Sequence, residues 1–116
     1  MKSKRYHIIY DVEAPNIANV DGALIEKVLK ELPPIIDMKI LHGPVVVEGV
    51  PENPGFTGFV VIDYSHISIH QFSDHNEALI DIFSCKKFEQ EKALQYLTET
   101  LGVSKENISM KTVAWG

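Results

Sequence analysis

The hydrophobic and polar positions in the first half of the chain predict a strand, a helix and then two further strands. Residues 6–12 mix aromatic and β-branched side chains, a composition typical of a β-strand. Over residues 20–32 the apolar side chains recur at helical spacing, which predicts an amphipathic helix that ends at the proline pair at 33–34. Short apolar segments at 35–41 and 45–50 predict the second and third strands.

The central part of the chain holds the clearest strand patterns. Residues 56–62 are almost continuously apolar, and residues 65–72 alternate between polar and apolar positions. The alternation places Ile67 and Ile69 on one face of a strand. The residues on its other face are His66, Ser68 and His70. The apolar segment 78–85 follows a polar turn, so it predicts an antiparallel hairpin with residues 65–72.

The end of the chain predicts a second helix and a last strand. Residues 86–101 carry an apolar stripe at helical spacing, Gly102 follows as a helix C-terminal glycine, and residues 108–114 suit a strand. Two such helices among about six strands predict an α+β fold. The expected architecture is a two-layer α/β sandwich, with a mostly antiparallel sheet and both helices packed on one face. The other face must be solvated, bind a ligand or be covered by a partner.

The composition favours one globular domain over residues 1–116 and narrows the possible partners. A net charge of −5, without a cluster of Lys and Arg, argues against nucleic acid as a partner. No apolar run approaches the length that spans a bilayer, so no membrane partner is expected. The single cysteine cannot form an internal disulfide, and the expected location is the reducing cytoplasm.

Three histidines, His66, His70 and His75, suggest a metal site that the predicted geometry opposes. His66 and His70 would lie about 13 Å apart on a strand, at ~3.3 Å per residue, which is too far to share one zinc ion. No metal is therefore predicted. The chain also lacks a glycine-rich phosphate loop. A serine hydrolase built on Ser65 and His70 would lack the Gly-x-Ser-x-Gly elbow that exposes such a nucleophile.

One segment resembles a known family of decarboxylases. The sequence Ser65-His-Ile-Ser-Ile-His70, a polar turn, Ala78-Leu-Ile-Asp-Ile-Phe-Ser-Cys85 and a following helix resemble the small prokaryotic S-adenosylmethionine decarboxylases. The resemblance is strongest over residues 55–101. Members of this family are pyruvoyl-dependent enzymes made from self-cleaving proenzymes. Their product is the aminopropyl donor of polyamine biosynthesis.

The resemblance implies self-cleavage between Tyr64 and Ser65. Ser65 would become the pyruvoyl cofactor after its hydroxyl attacks the preceding carbonyl and a base, His70, removes its α-proton. Thr57 stands where the family has a serine that assists this rearrangement. Because Ser65 and His70 are five residues apart, a regular strand would point them to opposite faces, and strain or a bend at the scissile bond is expected. The products would be residues 1–64 and residues 65–116.

The resemblance also implies roles in turnover. The pyruvoyl carbonyl would form a Schiff base with the amine of an amino-acid-type substrate, and Cys85 would reprotonate the substrate carbon. The resemblance implies that Phe72, Asp74 and Phe56 contact the substrate. Asp74 would bind the ribose hydroxyls, and Phe56 would stack on the adenine. A homodimer of processed protomers is expected, and it would cover the free face of the sheet.

Departures from the family pattern leave two other hypotheses open. Tyr64 stands where the family usually has glutamate, and the family's His-x-aromatic-Pro-Glu is here His70-Gln-Phe-Ser-Asp74. Because these changes touch the nucleoside contacts, a decarboxylase of arginine or ornithine with the same fold is a second hypothesis. The third is an unprocessed relative that binds a small molecule or a partner without catalysis.

Overall fold

The computed structural model describes residues 3–114, which contain six strands, two α-helices and two short 3-10 turns. The strands are β1 (Tyr6–Glu13), β2 (Ile40–Glu48), β3 (Gly55–Ile62), β4 (Ser65–Phe72), β5 (Glu77–Ser84) and β6 (Ile108–Thr112). The α-helices are α1 (Gly22–Ile35) and α2 (Gln90–Leu101), and the 3-10 turns are Pro15–Asn19 and Lys105–Asn107. Neither α-helix is long and apolar enough to cross a membrane.

The described strands form one antiparallel sheet in the order β2-β3-β4-β5-β1-β6. The predicted hairpin is β4 with β5, paired from Ser65 opposite Ser84 to Phe72 opposite Glu77. β3 pairs with the other edge of β4, so β4 lies inside the sheet with a neighbour on each side. The α+β fold with an antiparallel sheet, predicted from the sequence, is confirmed.

The apolar core lies between the sheet and the helices. Ile67 and Ile69 of β4 are buried there, together with Leu29 of α1 and Leu97 of α2. The opposite face of the sheet, which we call the open face, carries the other side chains of β4, and these are only partly buried. The two faces predicted for β4 are confirmed because burial follows the two-residue period of the strand.

Tyr10 brings a hydroxyl into this core. Its side chain is fully buried, and its hydroxyl donates a 3.0 Å hydrogen bond to the carbonyl oxygen of Gln90. Burial, and then the negative charge of Glu91, raise the pKa of the Tyr10 phenol well above its usual 10.0 because both disfavour the phenolate. The bond ties β1 to the first turn of α2.

The first helix does not end at the proline pair, as the sequence had predicted. α1 continues through Pro33 and Pro34 to Ile35. The prolines lie in the last turn, where only a few backbone hydrogen bonds are lost, and continuation buries Pro33 and the next residue, Ile36, in the core. The backbone N–H of Ile36 still donates to Leu32, at 3.3 Å, and Asp37 ends the helix with a φ of 61°.

The two strands predicted at 35–41 and 45–50 are wrong as separate elements. They are replaced by one strand, β2, which begins at Ile40 and pairs along β3. The segment His42-Gly-Pro44 between them is absorbed as an irregularity, because the pairing register shifts on both sides of His42. β2 is an edge strand, where a proline and a bulge are tolerated since one row of backbone groups needs no partner strand.

The second helix begins at Gln90, four residues later than predicted. The Ser84 hydroxyl accepts a 2.9 Å hydrogen bond from the N–H of Lys86 and donates a 2.7 Å bond to the Lys86 carbonyl oxygen. These bonds fold the chain into a local turn instead of a helix. The predicted helix end is confirmed, because Gly102 caps α2 with a φ of 68°.

Candidate active site

The predicted scissile bond lies at a tight turn between β3 and β4. Ile62 pairs with Ser65, so Asp63 and Tyr64 alone connect the two strands. The turn is held from one side by Lys39, whose N–H donates to the Asp63 carboxylate at 3.0 Å and whose carbonyl oxygen accepts from the Asp63 N–H at 2.9 Å. The backbone on either side of Tyr64 is therefore fixed.

Ser65, the residue after the predicted scissile bond, has a strained backbone. Its φ is 140°, a region that a residue with a Cβ atom rarely adopts. Such a conformation costs roughly 1–3 kcal/mol and persists only where the surrounding structure imposes it. The strain expected at this bond is present at Ser65.

Cys85 directly follows β5 and reaches the same bond from the neighbouring strand. Its backbone N–H donates a 3.0 Å hydrogen bond to the carbonyl oxygen of Tyr64, and the residue is exposed. Ser84, opposite Ser65 in the sheet, fixes the Cys85 backbone through its two bonds to Lys86. Tyr64, Ser65 and Cys85 thus lie together, and we call them the cleavage cluster.

Thr57 and His70 form a second group, which we call the histidine pair. They are direct cross-strand partners on β3 and β4, and 3.4 Å separates Thr57 Oγ1 from His70 Nδ1. Both residues belong to the open face. The hydroxyl can therefore orient the imidazole ring.

The fold separates the cleavage cluster from the histidine pair. Ser65 and His70 are five residues apart on a continuous strand, about 16 Å at ~3.3 Å per residue. The register partners of Ser65, Ile62 and Ser84, are buried on the helix side, whereas His70 is on the open face. Within residues 3–114 no hydrogen bond joins Ser65 to His70. The strain at Ser65 does not bring the two residues together.

The predicted substrate contacts lie in three different surroundings. Phe72 is a half-buried residue at the end of β4, on the open face beside the histidine pair. Asp74 is exposed in the turn after β4. Phe56 instead packs against the apolar core on the helix side, and its ring lies about 3.2 Å from where a Cβ on Gly22 would be. The fold brings Phe72, but not Phe56, to the face that carries His70.

The sequence reasoning missed the polar centre of the open face. Asp81 of β5 lies there between two histidines: one carboxylate oxygen pairs with Nε2 of His7 on β1, and the other lies 3.4 Å from Nε2 of His66 on β4. The Ser68 hydroxyl donates to the same carboxylate at 3.3 Å. In the sequence, the only sign of this cluster is that polar residues occupy alternate positions of β1, β4 and β5. The strand order is needed to show that these residues come together. Among the residues described, no set of three potential ligands is placed to hold a metal ion.

Comparison with known proteins identifies the family of this chain. The family model described as S-adenosylmethionine decarboxylase matches residues 6–113. The chain belongs to the S-adenosylmethionine decarboxylase family. This family consists of carboxy-lyases.

Two relatives and one solved structure illustrate the extent of the similarity. The S-adenosylmethionine decarboxylase proenzyme of Clostridium botulinum strain Langeland is 34% identical over 110 residues, covering 93% of this chain and 92% of the relative. A proenzyme of the same name from Anoxybacillus flavithermus is 37% identical over 57 residues, covering 48% of this chain and 46% of its own. The crystal structure of the adenosylmethionine decarboxylase from Aquifex aeolicus VF5 matches with a TM-score of 0.77 and 23% identity. The match covers 100% of this chain and 93% of that one, and it supports the fold.

Proposed function

We propose that this protein is a self-cleaving proenzyme whose mature form decarboxylates S-adenosylmethionine, providing the aminopropyl donor for polyamine synthesis. The observation that carries the proposal is the hydrogen bond from the Cys85 N–H to the carbonyl oxygen of Tyr64, beside a strained Ser65. It polarises the one carbonyl that the adjacent serine hydroxyl must attack. The Clostridium botulinum relative, which is matched over 92% of its length and is named a proenzyme, supports the same function.

The first step of cleavage uses the cleavage cluster alone. Ser65 Oγ attacks the carbonyl carbon of Tyr64, and the C–N bond between Tyr64 and Ser65 breaks. The hydroxyl proton passes to the released amine, which leaves an ester between Tyr64 and the Ser65 side chain. Negative charge develops on the Tyr64 oxygen during the attack, and the Cys85 N–H, already 3.0 Å away, stabilises it. Strain at Ser65 is relieved when the peptide bond breaks.

The second step needs a base. His70 removes the α-proton of Ser65, a Cα–Cβ double bond forms, and the ester C–O bond breaks to release the Tyr64 carboxylate. The dehydroalanine that remains takes up water and loses ammonia, which leaves a pyruvoyl group at position 65. Thr57 orients the His70 ring through its Nδ1 atom during the proton transfer.

The separation of Ser65 from His70 supports an active site shared between two protomers. His70 lies about 16 Å along β4 from the serine of its own chain, on the other face of the strand. Two protomers stacked by their open faces, with a two-fold axis near Ser68 at the middle of β4, would bring His70 of one chain toward Ser65 of the other. The proposed enzyme is therefore a homodimer in which each site combines the cleavage cluster of one chain with the histidine pair of its partner.

The open face has the surface that such a dimer needs. Phe59 and Val47 share this face with Thr57, and they are 41% and 59% exposed. Apolar side chains exposed on one face of a sheet are typical of an interface. The sequence reasoning missed Phe59, although its position two residues from Thr57 on the same strand identifies its face.

In the mature enzyme, a pyruvoyl group derived from Ser65 would supply a carbonyl for the substrate amine and an electron sink for decarboxylation. Ser65, from which the group would derive, fits this chemistry because it adjoins the exposed Cys85. The Cys85 thiol donates the proton that replaces CO₂ on the substrate carbon. Phe72 offers a ring for the substrate nucleoside, and Asp74 accepts hydrogen bonds from its hydroxyls. The lone cysteine, free of any disulfide, supports a cytoplasmic location.

Two measurements test this proposal. Intact mass of the purified protein under denaturing conditions should show the two products of cleavage before Ser65, with the smaller fragment, residues 65–116, carrying a pyruvoyl end. Carboxyl-labelled S-adenosylmethionine should then release labelled CO₂. One uncleaved species after long incubation would leave the non-catalytic relative as the explanation. CO₂ released from labelled arginine or ornithine, and not from S-adenosylmethionine, would replace the substrate proposed here.

A further inference from the structure

A lysine contacts the residue that precedes the proposed scissile bond. The Lys86 Nζ atom lies 5.0 Å from the centroid of the Tyr64 ring, a distance at which a cation is attracted to the face of an aromatic ring. Lys86 follows Cys85 directly, so the loop that donates an N–H to the Tyr64 carbonyl also places a charge against the Tyr64 side chain. The backbone of Tyr64 is therefore contacted by Cys85, and its ring by the next residue, Lys86.

The Lys86 ammonium is fixed from its other side by the end of α1. It donates a 2.9 Å hydrogen bond to the carbonyl oxygen of Asp37 and lies 3.2 Å from Asp37 Oδ2. The backbone of Lys86 is fixed as well, by its two bonds to the buried Ser84 hydroxyl. A long side chain held at both ends loses little entropy when it binds a ring, since its freedom is already restricted.

We propose that Lys86 is a positioning residue for self-cleavage. By holding the Tyr64 ring, it keeps the Tyr64 carbonyl oxygen aligned with the Cys85 N–H, so that the carbonyl is polarised when Ser65 attacks. This inference rests on the proposed self-cleavage and adds to it a residue outside the reacting atoms. It also gives Tyr64, the unusual residue before the scissile bond, a function through its aromatic face.

The test measures the rate of self-cleavage in freshly refolded chains by intact mass. Lys86→Met keeps the length and apolar stem of the side chain but removes its charge, and it should slow cleavage about 2- to 5-fold. Lys86→Arg should restore a rate close to that of wild type, because a guanidinium also stacks on a ring. Lys87→Met, which removes the neighbouring exposed charge, is the matched control and should cleave at the wild-type rate.

A double substitution separates positioning from a general effect on the fold. Tyr64→Leu removes the ring, so adding Lys86→Met to it should cause no further slowing. A wild-type rate in Lys86→Met would overturn the role of Lys86 while leaving the proposed function intact. The role of Lys86 would also be overturned if Lys86→Met slowed cleavage of the Tyr64→Leu chain as much as it slows cleavage of wild type. A wild-type chain that never cleaves would overturn both proposals.

Discussion

The backbone N–H of Cys85 donates a 3.0 Å hydrogen bond to the carbonyl oxygen of Tyr64, 21 residues earlier in the chain. The donor belongs to the backbone, whereas the thiol proposed for turnover belongs to the side chain. One residue therefore serves two stages of the proposed pathway through different atoms. The two functions can be separated by substitution, because only some substitutions remove the N–H.

Cys85→Ala should cleave itself but fail in turnover. The N–H stays, so we expect a cleavage rate within a few-fold of wild type, while CO₂ release falls by about 10²- to 10⁴-fold without the proton donor. Cys85→Pro removes the N–H as well, and its cleavage should slow by about 10²- to 10³-fold. Intact mass follows cleavage, and circular dichroism checks that both variants fold. Full decarboxylase activity in Cys85→Ala would refute the role of the thiol.

The separation of Ser65 from His70 predicts that two inactive chains complement each other. Ser65→Ala cannot form the ester, and His70→Ala lacks the base, so each homodimer should remain without pyruvoyl product. In a mixed dimer, the His70→Ala chain keeps its Ser65 and meets the intact His70 of its partner. We expect cleavage of that chain in co-expressed, differently tagged protomers. If His70 acted within its own chain, the mixture would stay uncleaved.

Thr57→Val should slow the second step of cleavage. Valine has nearly the shape of threonine, but it cannot form a hydrogen bond with His70 Nδ1. Losing a hydrogen bond of about 1 kcal/mol that orients the imidazole ring corresponds to a roughly 5-fold lower rate. Because elimination would become slower than ester formation, the ester should accumulate and be cut by hydroxylamine. Thr57→Ser keeps the hydroxyl and provides the control. Equal rates for the valine and serine variants would argue against a role for this hydroxyl.

Tyr10→Phe should alter stability in a manner that depends on pH. At neutral pH the substitution leaves the Gln90 carbonyl without its donor and should lower the free energy of unfolding by about 1 kcal/mol. The pKa of Tyr10 is raised in the fold, so above pH 10 the unfolded chain loses this proton while the folded chain keeps it. The free energy of unfolding of wild type should then fall by up to about 1.4 kcal/mol per pH unit more than that of the variant.

Urea unfolding at pH 7, 10.5 and 11 checks the pH dependence of this difference. The stability advantage of wild type should be largest at pH 7 and shrink steadily above pH 10. An advantage that stays constant up to pH 11 would show that Tyr10 is not held in its neutral form by the fold.

The sequence by itself determined the strands around the site and the faces of β4. The two-residue period of β4 is a local property of the chain, and burial follows it from Ile67 onward, with polar Gln71 buried and Phe72 only partly buried. The resemblance also identified the family, since the order of Ser65, His70 and Cys85 is a property of the sequence. The end of α1 was predicted wrongly, because burial of Ile36 outweighs the backbone bonds lost at the proline pair.

Only the tertiary structure decided which of these residues meet. Tyr64 and Cys85 are joined because strand register places the end of β5 beside the β3–β4 turn, and no local pattern encodes that register. The contact of Lys86 with Tyr64 depends in addition on where α1 ends, since Asp37 holds the lysine. The distance between Ser65 and His70 follows from a strand that stays regular despite strain at its first residue. Residues close in sequence are thus kept apart by strand geometry, and residues far apart in sequence are joined by the sheet.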